Sequence, residues 1–337
     1  MERRILVPEK LAKTLVAEYA IPPETLIPWS GDLPEPWTIA SASAAILWHR
    51  DPARLCRYLL QHKDRWDWMH SLWTGIEHLP VEALHRSVSV LTTGKGTGAI
   101  PLAEWVLLAL LWHAKRVEEH RRAFREGKWE SLELREVSGT RVVIVGLGAV
   151  GRRVAQQLAA NGAEVIGVAR NPRPVRGCAR VLPMSELPEA CRTAQGLVLV
   201  LPATPGTRGL VGASLLRALP DGALVVNIGR ASVVDEEALF RELSAGRLWA
   251  ALDVWWEEPL PAASRWRTVE NLLPSPHGAY RTQRFAARHA QRVAENARAY
   301  LAGRRLSAAV TKREWAELLG WERSGSGYPS REAEARP

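Results

Sequence analysis

Residues 141–151, RVVIVGLGAVG, decide the fold of the part of the chain in which they lie. The run 142–145 is β-branched throughout, which predicts a buried strand, and the glycines that follow have the spacing Gly-x-Gly-x-x-Gly at the start of a helical pattern. In such a strand-loop-helix unit Gly146 makes the tight turn, Gly148 lets the backbone approach a pyrophosphate, and Gly151 lets the helix pack on the strand. The start of the helix also offers free N–H groups to phosphate oxygens. We therefore favour a dinucleotide-binding loop over a glycine-rich turn without a ligand.

Strand-like and helix-like runs alternate on both sides of this unit. Strands are predicted at residues 4–7, 42–48, 68–73, 88–91, 142–145, 163–168, 197–201, 223–228 and 249–254. Helices are predicted at residues 8–19, from the Asp51-Pro52 pair onward, and at 101–125, 148–161 and 281–302. Alternation of this kind predicts an α/β protein with mostly parallel sheets and helices on both faces. Residues 101–125 are expected to form one long helix with a buried apolar first half.

The composition is that of an ordinary globular protein. The chain has 337 residues, of which 47% are hydrophobic and 24% charged, so fibrous and disordered architectures are excluded and two domains are expected. No apolar run approaches the length of about 18 residues that a membrane helix needs, and the first residues lack the apolar core of a signal peptide. The cysteines, Cys56, Cys178 and Cys191, form no Cys-x-x-Cys pair. These features predict a cytoplasmic protein with reduced thiols, no metal site and no membrane contact.

The chain carries a formal net charge of +9, and most of the excess lies after residue 280. Arg281, Arg284, Arg288 and Arg292 recur every three or four residues, which predicts that they share one face of the last helix. A nucleic-acid site usually adds polar or aromatic groups for base contacts. The pattern therefore favours a solvated helix face over a polyanion site, and we expect no nucleic-acid partner.

The end of the predicted strand 163–168 indicates which dinucleotide binds. In NAD-binding proteins a carboxylate usually stands at this position and accepts hydrogen bonds from the adenosine ribose hydroxyls. Here the position is Ala169, and Arg170 and Arg173 follow shortly after it. A guanidinium pairs with a 2′-phosphate through two parallel hydrogen bonds, whereas a carboxylate repels it. The sequence therefore predicts a preference for NADP(H) over NAD(H); the alternative is that Arg170 stacks on adenine at the surface and either cofactor is accepted.

Three further segments, together with the glycine loop, have the order and spacing of one enzyme family. They are VNIGRASVVDEEAL at 226–239, LDVWWEEPL at 252–260 and LPSPHGA at 273–279. With the loop WTGIEH at 73–78 they resemble the D-isomer-specific 2-hydroxyacid dehydrogenases, and the glyoxylate and hydroxypyruvate reductases in particular. The resemblance is strongest over residues 95–285. It implies an active site built from these segments.

The resemblance implies a catalytic trio. Arg230 would bind the substrate carboxylate and polarise the keto oxygen, His277 would be the general acid in reduction and the base in oxidation, and Glu258 would hydrogen-bond to it. These side-chain types suit the chemistry, since hydride delivery to a carbonyl builds negative charge on oxygen and needs a cation and a proton donor nearby. A carboxylate beside an imidazole stabilises its protonated form. Glu257 is the alternative partner, but the spacing from Asp253 in the family favours Glu258.

The same resemblance implies contacts with substrate and cofactor. Backbone N–H groups near Thr74 and Gly75 would bind the substrate carboxylate together with Arg230. The residues implied to contact the cofactor are Gly146, Gly148, Ala149, Val150, Gly151, Arg170, Arg173, Pro202, Thr207, Ile228, Gly229, Asp253 and Gly278. Asp253 would hold the nicotinamide carboxamide. Trp256 would either pack at the edge of its domain, which we favour, or narrow the active site.

Fold and function follow from the resemblance as expectations. We expect two Rossmann/flavodoxin-like doubly wound parallel-sheet domains with an active-site cleft between them. A substrate domain at 1–94 would be completed by 281–310, an NAD(P)-binding Rossmann domain would span 95–280, and a disordered tail would occupy 324–337. The expected reaction is hydride transfer between NADP(H) or NAD(H) and a small 2-keto acid/D-2-hydroxy acid pair, in a homodimer. The alternative is a non-catalytic dinucleotide sensor, like the corepressor-like members of the family.

Overall fold

The computed structural model describes residues 2–323, and these divide into two compact units. Unit 1 contains the residues up to Thr97 and those from Gln283 onward, and unit 2 contains Gly98–Thr282. The tail predicted at 324–337 lies outside the described residues. Within residues 2–323 no helix is both long enough and apolar enough to cross a membrane.

Unit 1 is built on a five-stranded, fully parallel sheet. Its strands are β1 (Ile5–Pro8), β2 (Leu26–Trp29), β3 (Ala44–Leu47), β4 (Trp66–Ser71) and β5 (Val88–Thr93), and its connecting helices are α1 (Glu9–Tyr19), α2 (Pro36–Ala40), α3 (Pro52–His62) and α4 (Val81–Ser87). The strand order β2-β1-β3-β4-β5 reverses next to β1. The predicted Asp51-Pro52 start of α3 is confirmed, because the Asp51 side chain accepts a hydrogen bond from the Arg54 N–H at 2.9 Å.

Strand β2 is not predicted from the sequence, because Pro28 lies within it. A proline lacks the N–H that a central strand donates to its neighbour. β2 tolerates it because this strand lies at the edge of the sheet, beside β1.

Unit 2 carries a seven-stranded sheet that is also fully parallel. Its strands are β6 (Arg141–Val145), β7 (Glu164–Ala169), β8 (Arg180–Pro183), β9 (Gly196–Leu199), β10 (Leu224–Asn227), β11 (Trp249–Leu252) and β12 (Leu272–Pro274). Its helices are α5 (Ala99–Ala114), α6 (Val117–Arg125), α7 (Ala149–Ala160), α8 (Leu187–Cys191), α9 (Ala213–Ala218) and α10 (Glu236–Ser244). The order β12-β11-β10-β9-β6-β7-β8 reverses between β6 and β9. The predicted fold class, two doubly wound α/β domains with parallel sheets, is confirmed.

Alternate residues of the central strand β6 face opposite cores. Val143 and Val145 are buried in one apolar cluster, and Val142 and Ile144 are buried in a second cluster on the other face of the sheet. Burial on both faces explains why the strand reads as a continuous apolar run. Polar side chains are therefore left to the loops at the strand ends, where the predicted site residues lie.

The run at 101–125 forms two helices instead of the predicted one. α5 ends and α6 begins around Arg116, which takes a left-handed backbone conformation with φ 49°. The Arg116 side chain donates to Glu119 at 3.0 Å and so supports the first turn of α6. No glycine or proline marks the break, so helix propensity could not reveal it. The apolar first half is also only partly buried, since Leu108 is 52% exposed.

Two C-terminal helices return to unit 1: α11 (Phe285–Leu301) and α12 (Lys312–Arg323). The prediction that four arginines share one helix face is wrong, because α11 begins after Arg281. Arg292 is half-buried and donates to the Lys95 carbonyl at 3.0 Å, so it is not a solvated charge either. α12 is not predicted from the sequence, and its Trp315 and Leu318 pack on the core of unit 1.

Candidate active site

The glycine loop joins β6 to α7 and is shaped by two close approaches. Gly146 adopts φ +100°, and a Cβ there would lie 2.5 Å from the Val200 carbonyl oxygen. A Cβ on Gly151 would lie 1.9 Å from the Gly146 carbonyl oxygen. The packing of the loop against Val200 requires glycine at position 146, and the packing of α7 on the loop requires it at position 151, whether or not a ligand binds.

Gly148 differs from both, because the space around it is open. It is the N-cap of α7, and a Cβ there would meet no described atom within 4 Å outside its chain neighbours. Within the described chain no side chain caps α7 at this residue, and the first turn, which begins with Ala149 and Val150, contains no acidic residue. The amides of this turn can therefore donate to an anion. The loop fits the pyrophosphate of a dinucleotide.

Arginines cluster beyond β7, in the connection to β8. The strand ends at Ala169, and Arg170 and Arg173 follow as exposed side chains. Arg173 also lines a pocket of about 440 Å³ together with Arg176 and Arg180. Arg176 and Arg180 are not predicted as site residues from the sequence, although both lie close to Arg173 in the chain. Guanidinium groups around one pocket suit a phosphate ligand.

The loop after β9 is held together by the Thr207 hydroxyl. This hydroxyl donates to the Pro202 carbonyl at 2.7 Å and accepts from the Thr204 N–H at 2.9 Å. The chain after β10 packs against the same loop, since a Cβ on Gly229 would lie 2.5 Å from the Leu201 carbonyl oxygen. The fold thus brings predicted cofactor residues from two loops side by side. Thr204 is not predicted from the sequence, because a buried threonine in a loop belongs to no recognisable sequence pattern.

The predicted catalytic side chains follow three neighbouring strands. Arg230 comes after β10, Glu258 lies in the segment after β11, and His277 comes after β12. The Nδ1 atom of His277 lies 2.8 Å from Glu258 Oε2 and 3.1 Å from Oε1. Both side chains are largely shielded, with exposed fractions of 19% for the imidazole and 15% for the carboxylate. An acid–base pair therefore lies at the carboxyl edge of the sheet, where ligands of open α/β sheets bind.

The backbone of His277 takes a left-handed conformation with φ 52°, which is uncommon outside glycine. Asp253, which is 1% exposed, fixes the turn that carries it. The Asp253 Oδ1 atom accepts from the N–H groups of Gly278 and Ala279 at 2.9 and 3.0 Å. The Ser275 hydroxyl donates to the same oxygen at 2.7 Å. The sequence indicates a cofactor contact for Asp253, and the structure adds this positioning of the histidine segment.

Trp255 forms hydrogen bonds both to Glu258 and to the segment that carries His277. Its backbone N–H donates to Glu258 Oε1 at 3.0 Å, and its indole Nε1–H donates to the Ser275 carbonyl at 2.8 Å. Trp256 instead stacks on Trp266, with ring centroids 5.2 Å apart and an interplanar angle of 9°. This stack is consistent with the favoured prediction that Trp256 packs at the edge of its domain. The role of Trp255 is not visible in the sequence, because residue spacing does not show where an indole N–H points.

The predicted substrate loop belongs to unit 1 and follows β4. The Trp73 N–H donates to the buried Ser71 hydroxyl at 3.3 Å, and the Trp73 carbonyl accepts from the Gly94 N–H at 3.3 Å. The loop is therefore anchored at its start. Thr74, which is exposed, and Gly75 follow directly.

Residues 107–279 match the family model for the NAD binding domain of the D-isomer specific 2-hydroxyacid dehydrogenases. The chain belongs to this family. The resemblance predicted from the motifs is thereby confirmed, and unit 2 is the dinucleotide-binding domain of a D-isomer specific 2-hydroxyacid dehydrogenase family member.

Individual members of the family are similar to the chain over much of its length. It is 31% identical to the glyoxylate reductase of Aeropyrum pernix over 240 residues, which are 68% of this chain and 72% of that enzyme. It is 26% identical to the D-3-phosphoglycerate dehydrogenase of Methanocaldococcus jannaschii over 264 residues, which are 77% of this chain and 50% of that enzyme. The chain spans about half the length of several curated relatives that it matches.

Both units are also represented in a solved structure of the family. The D-isomer specific 2-hydroxyacid dehydrogenase of Xanthobacter autotrophicus Py2, solved in complex with NADPH and MES, matches with a TM-score of 0.78 and 28% identity. The match covers 94% of this chain and 100% of that one. The match therefore includes strands and helices of both units.

Proposed function

We propose that the chain transfers a hydride between NADP(H) and a 2-keto acid/D-2-hydroxy acid pair. The observation that carries the proposal is the His277–Glu258 pair, with Nδ1 and Oε2 2.8 Å apart, in the unit that also holds the glycine loop. A bound nicotinamide would supply the hydride. The protein would supply the proton and the positive charge that the reacting oxygen needs.

The catalytic side chains have separate roles in this proposal. Arg230 binds the substrate carboxylate and stabilises the negative charge that develops on the keto oxygen. His277 turns Nδ1 to Glu258 and donates its proton from Nε2 to that oxygen in reduction, and it accepts the proton back in oxidation. Glu258 keeps the ring oriented through its hydrogen bond with Nδ1. The backbone N–H groups near Thr74 and Gly75 in unit 1 complete the binding of the carboxylate.

We propose further that NADP(H) is preferred. Arg170 and Arg173 follow β7 where NAD-binding proteins place a carboxylate, and Arg173 lines a pocket together with Arg176 and Arg180. The remaining contacts proposed for the cofactor are those of the glycine loop, Pro202, Thr207, Ile228, Gly229, Asp253 and Gly278. Dissociation constants of NADPH and NADH test the preference. NADPH should bind more tightly in the wild type and lose its advantage in Arg170→Ala, and tighter binding of NADH contradicts the proposal.

Turnover of 2-keto acids tests the reaction itself. Glyoxylate and hydroxypyruvate should be reduced by the wild-type protein with NADPH, followed by the loss of NADPH absorbance. Binding of NADPH without turnover of any 2-keto acid would favour the dinucleotide sensor instead.

The role of His277 has a separate test. His277→Ala should lower kcat by roughly 10²–10⁴, as loss of a general acid does, while the dissociation constant of NADPH stays the same. His62→Ala is the matched control, because His62 is an exposed histidine of unit 1 outside the motifs. An unchanged kcat in His277→Ala would refute the acid–base role.

We also propose a cytoplasmic homodimer. Apolar side chains of α5, α6 and the following segment are exposed in unit 2, among them Leu108 at 52%, Phe124 at 80% and Trp129 at 99%. Contact with a second copy would cover them. Cys56, Cys178 and Cys191 are free thiols, which suits a reducing compartment. Light scattering on wild type and Phe124→Glu tests the assembly, and a wild-type monomer would contradict it.

A further inference from the structure

A pocket of about 740 Å³ opens at the carboxyl ends of β1 to β4 in unit 1. Pro8, Trp29, Trp48 and Leu72 line it where these strands end. Ligands of open parallel sheets bind at this edge, and the strand order of unit 1 reverses here, next to β1. The volume lies in the range of small-molecule sites.

Aromatic side chains form walls of this pocket. Trp29 is buried, while Trp48, Trp73 and Phe285 are half-buried and also line the pocket. The rings of Trp48 and Phe285 both contact the ring of His289, with centroid distances of 6.5 and 4.4 Å. His289 is 3% exposed, so it supports two walls from behind. The aromatic surface is therefore held in place by the core of unit 1.

The carboxylates at the rim of the pocket are matched by cations of unit 1. Asp32 accepts from Arg54 at 2.6 Å and from Arg50 at 3.1 Å. Glu9 pairs with Lys13 at 2.8 Å. Because both acids have cationic partners, the rim does not repel an acidic substrate.

The pocket adjoins the loop that the proposed function assigns to the substrate carboxylate. Trp73 lines the pocket and directly precedes Thr74 and Gly75. A carboxylate bound by the N–H groups of this loop places the rest of the substrate next to the Trp73 wall. The group attached to the keto carbon is then the part of the molecule that can enter the pocket.

We infer that this pocket receives the side chain of the substrate and selects 2-keto acids whose side chain is aromatic. The inference rests on the proposed function, since it needs the keto acid to bind at Thr74 and Gly75. Glyoxylate has no side chain and leaves the walls uncovered. A phenyl ring can make the edge-to-face and offset contacts that aromatic rings favour, here with Trp48, Trp73 and Phe285.

The test compares kcat/KM for phenylpyruvate and for glyoxylate with NADPH, on the full chain. We expect the value for phenylpyruvate to be higher by about tenfold or more, because a buried ring adds contacts that glyoxylate lacks. Trp48→Ala should lower the ratio of the two values by about tenfold, since it removes one wall. Trp37→Ala is the matched control, because Trp37 is a 69% exposed tryptophan of unit 1 outside the pocket, and it should leave the ratio unchanged.

The outcomes separate this inference from the proposed function. Turnover of glyoxylate with an equal or lower kcat/KM for phenylpyruvate overturns the inference and leaves the proposed function standing. No turnover of either acid overturns the proposed function, and the inference falls with it. If Trp48→Ala and Trp37→Ala change the ratio of the two kcat/KM values equally, the pocket does not bind the substrate side chain. The wild-type comparison decides the matter even if Trp48→Ala does not fold.

Discussion

Unit 1 and unit 2 reverse their strand order beside the first strand in the same way, but the loops at these points carry different chemistry. In unit 2, β6 leads through Gly146 and Gly148 into α7, whose first turn holds no acid. In unit 1, β1 leads through Pro8 straight into α1, whose first turn holds Glu9. A helix start with free N–H groups attracts a phosphate, whereas a carboxylate in the first turn already supplies the negative charge that this helix end favours.

A doubly wound sheet therefore determines where a ligand can bind, and the loop residues determine what binds. Unit 2 presents backbone N–H groups and an acid–base pair, which suit a dinucleotide and proton transfer. Unit 1 presents aromatic walls, which suit an organic side chain. Neither difference is visible in the strand order.

Among the substitutions that test the difference between the two units, Gly151→Ala in the glycine loop of unit 2 should have the largest effect. The new Cβ would lie 1.9 Å from the Gly146 carbonyl oxygen, so α7 and the loop must move apart. The free energy of unfolding should fall by about 3 kcal/mol, and NADPH binding should weaken as well. Urea unfolding measures the first and fluorescence titration the second. Gly206→Ala, in open space in the same unit, is the control, and a Gly151→Ala protein as stable as this control would contradict the role.

A second expected difference between the units is the size of their response to acid. Unit 1 has two buried histidines, His70 and His289, whereas in unit 2 burial lowers the pKa of one partly buried histidine, His113, to about 4. Burial, assisted by the charge of Arg292, lowers the pKa of His70 to about 3 and that of His289 to about 4. The unfolded chain therefore binds protons below the ordinary pKa of about 6.5 while the folded chain does not. Stability should be retained above that pH and fall below it, by about 1.4 kcal/mol per pH unit for each histidine until the folded pKa is reached.

The contribution of one buried histidine can be isolated with His289→Gln. Urea unfolding at pH 7.5 and pH 5 should show a smaller loss of stability in the variant than in the wild type, by about 2 kcal/mol. The difference between the two pH values is the readout, so a uniform loss of stability in the variant does not affect it. The same loss in both proteins would show that His289 is protonated in the folded state.

A smaller effect is expected from Gly148→Ala, which separates ligand binding from folding. Since the new Cβ meets no described atom within 4 Å, the free energy of unfolding should stay the same. The methyl group would stand where a pyrophosphate approaches the backbone, so the dissociation constant of NADPH should rise about tenfold. If Gly148→Ala loses as much stability as Gly151→Ala, the two glycines do not have the separate roles described for them.

The smallest effect is expected from Trp255→Phe, which tests whether the acid–base pair of unit 2 depends on its indole. The substitution keeps an aromatic ring but removes the hydrogen bond to the Ser275 carbonyl. Because the His277 segment is then held less firmly, kcat should fall by about fivefold, which corresponds to the loss of one hydrogen bond of about 1 kcal/mol. The pH dependence of kcat should change as well. Trp256→Phe is the matched neighbour, because its indole bonds to Val234 away from the pair. Equal losses in both variants would argue against a positioning role for Trp255.

The elements that the sequence predicts well are those with long apolar patterns. The central strands of unit 2 and helix α7 match their predictions to within one or two residues at most ends, because both faces of such strands must be apolar. β8 and β12 are missed because they are short edge strands, and β12 has only three residues. The break at Arg116 is missed because it depends on how α5 and α6 pack, and no residue that breaks helices marks it.

The order of the motifs identifies the candidate site residues, and only the three-dimensional packing shows their hydrogen-bond partners. Glu258 is chosen over Glu257 from the spacing that the family resemblance implies, and the structure places it against His277. Ser275 and Trp255 are not predicted as partners, since their hydrogen bonds depend on side-chain directions in loops. The aromatic pocket of unit 1 is hidden from the sequence for the same reason.

The sequence by itself determined the glycine loop, the alternation of strands and helices and the order of the motifs. These are properties of neighbouring residues, and the apolar period and the conformational freedom of glycine act over short stretches of chain. Only the tertiary structure decided which distant side chains meet. Phe285 joins Trp48 on His289, and Asp253 holds the turn of His277, because strands and helices far apart in the chain pack into one core.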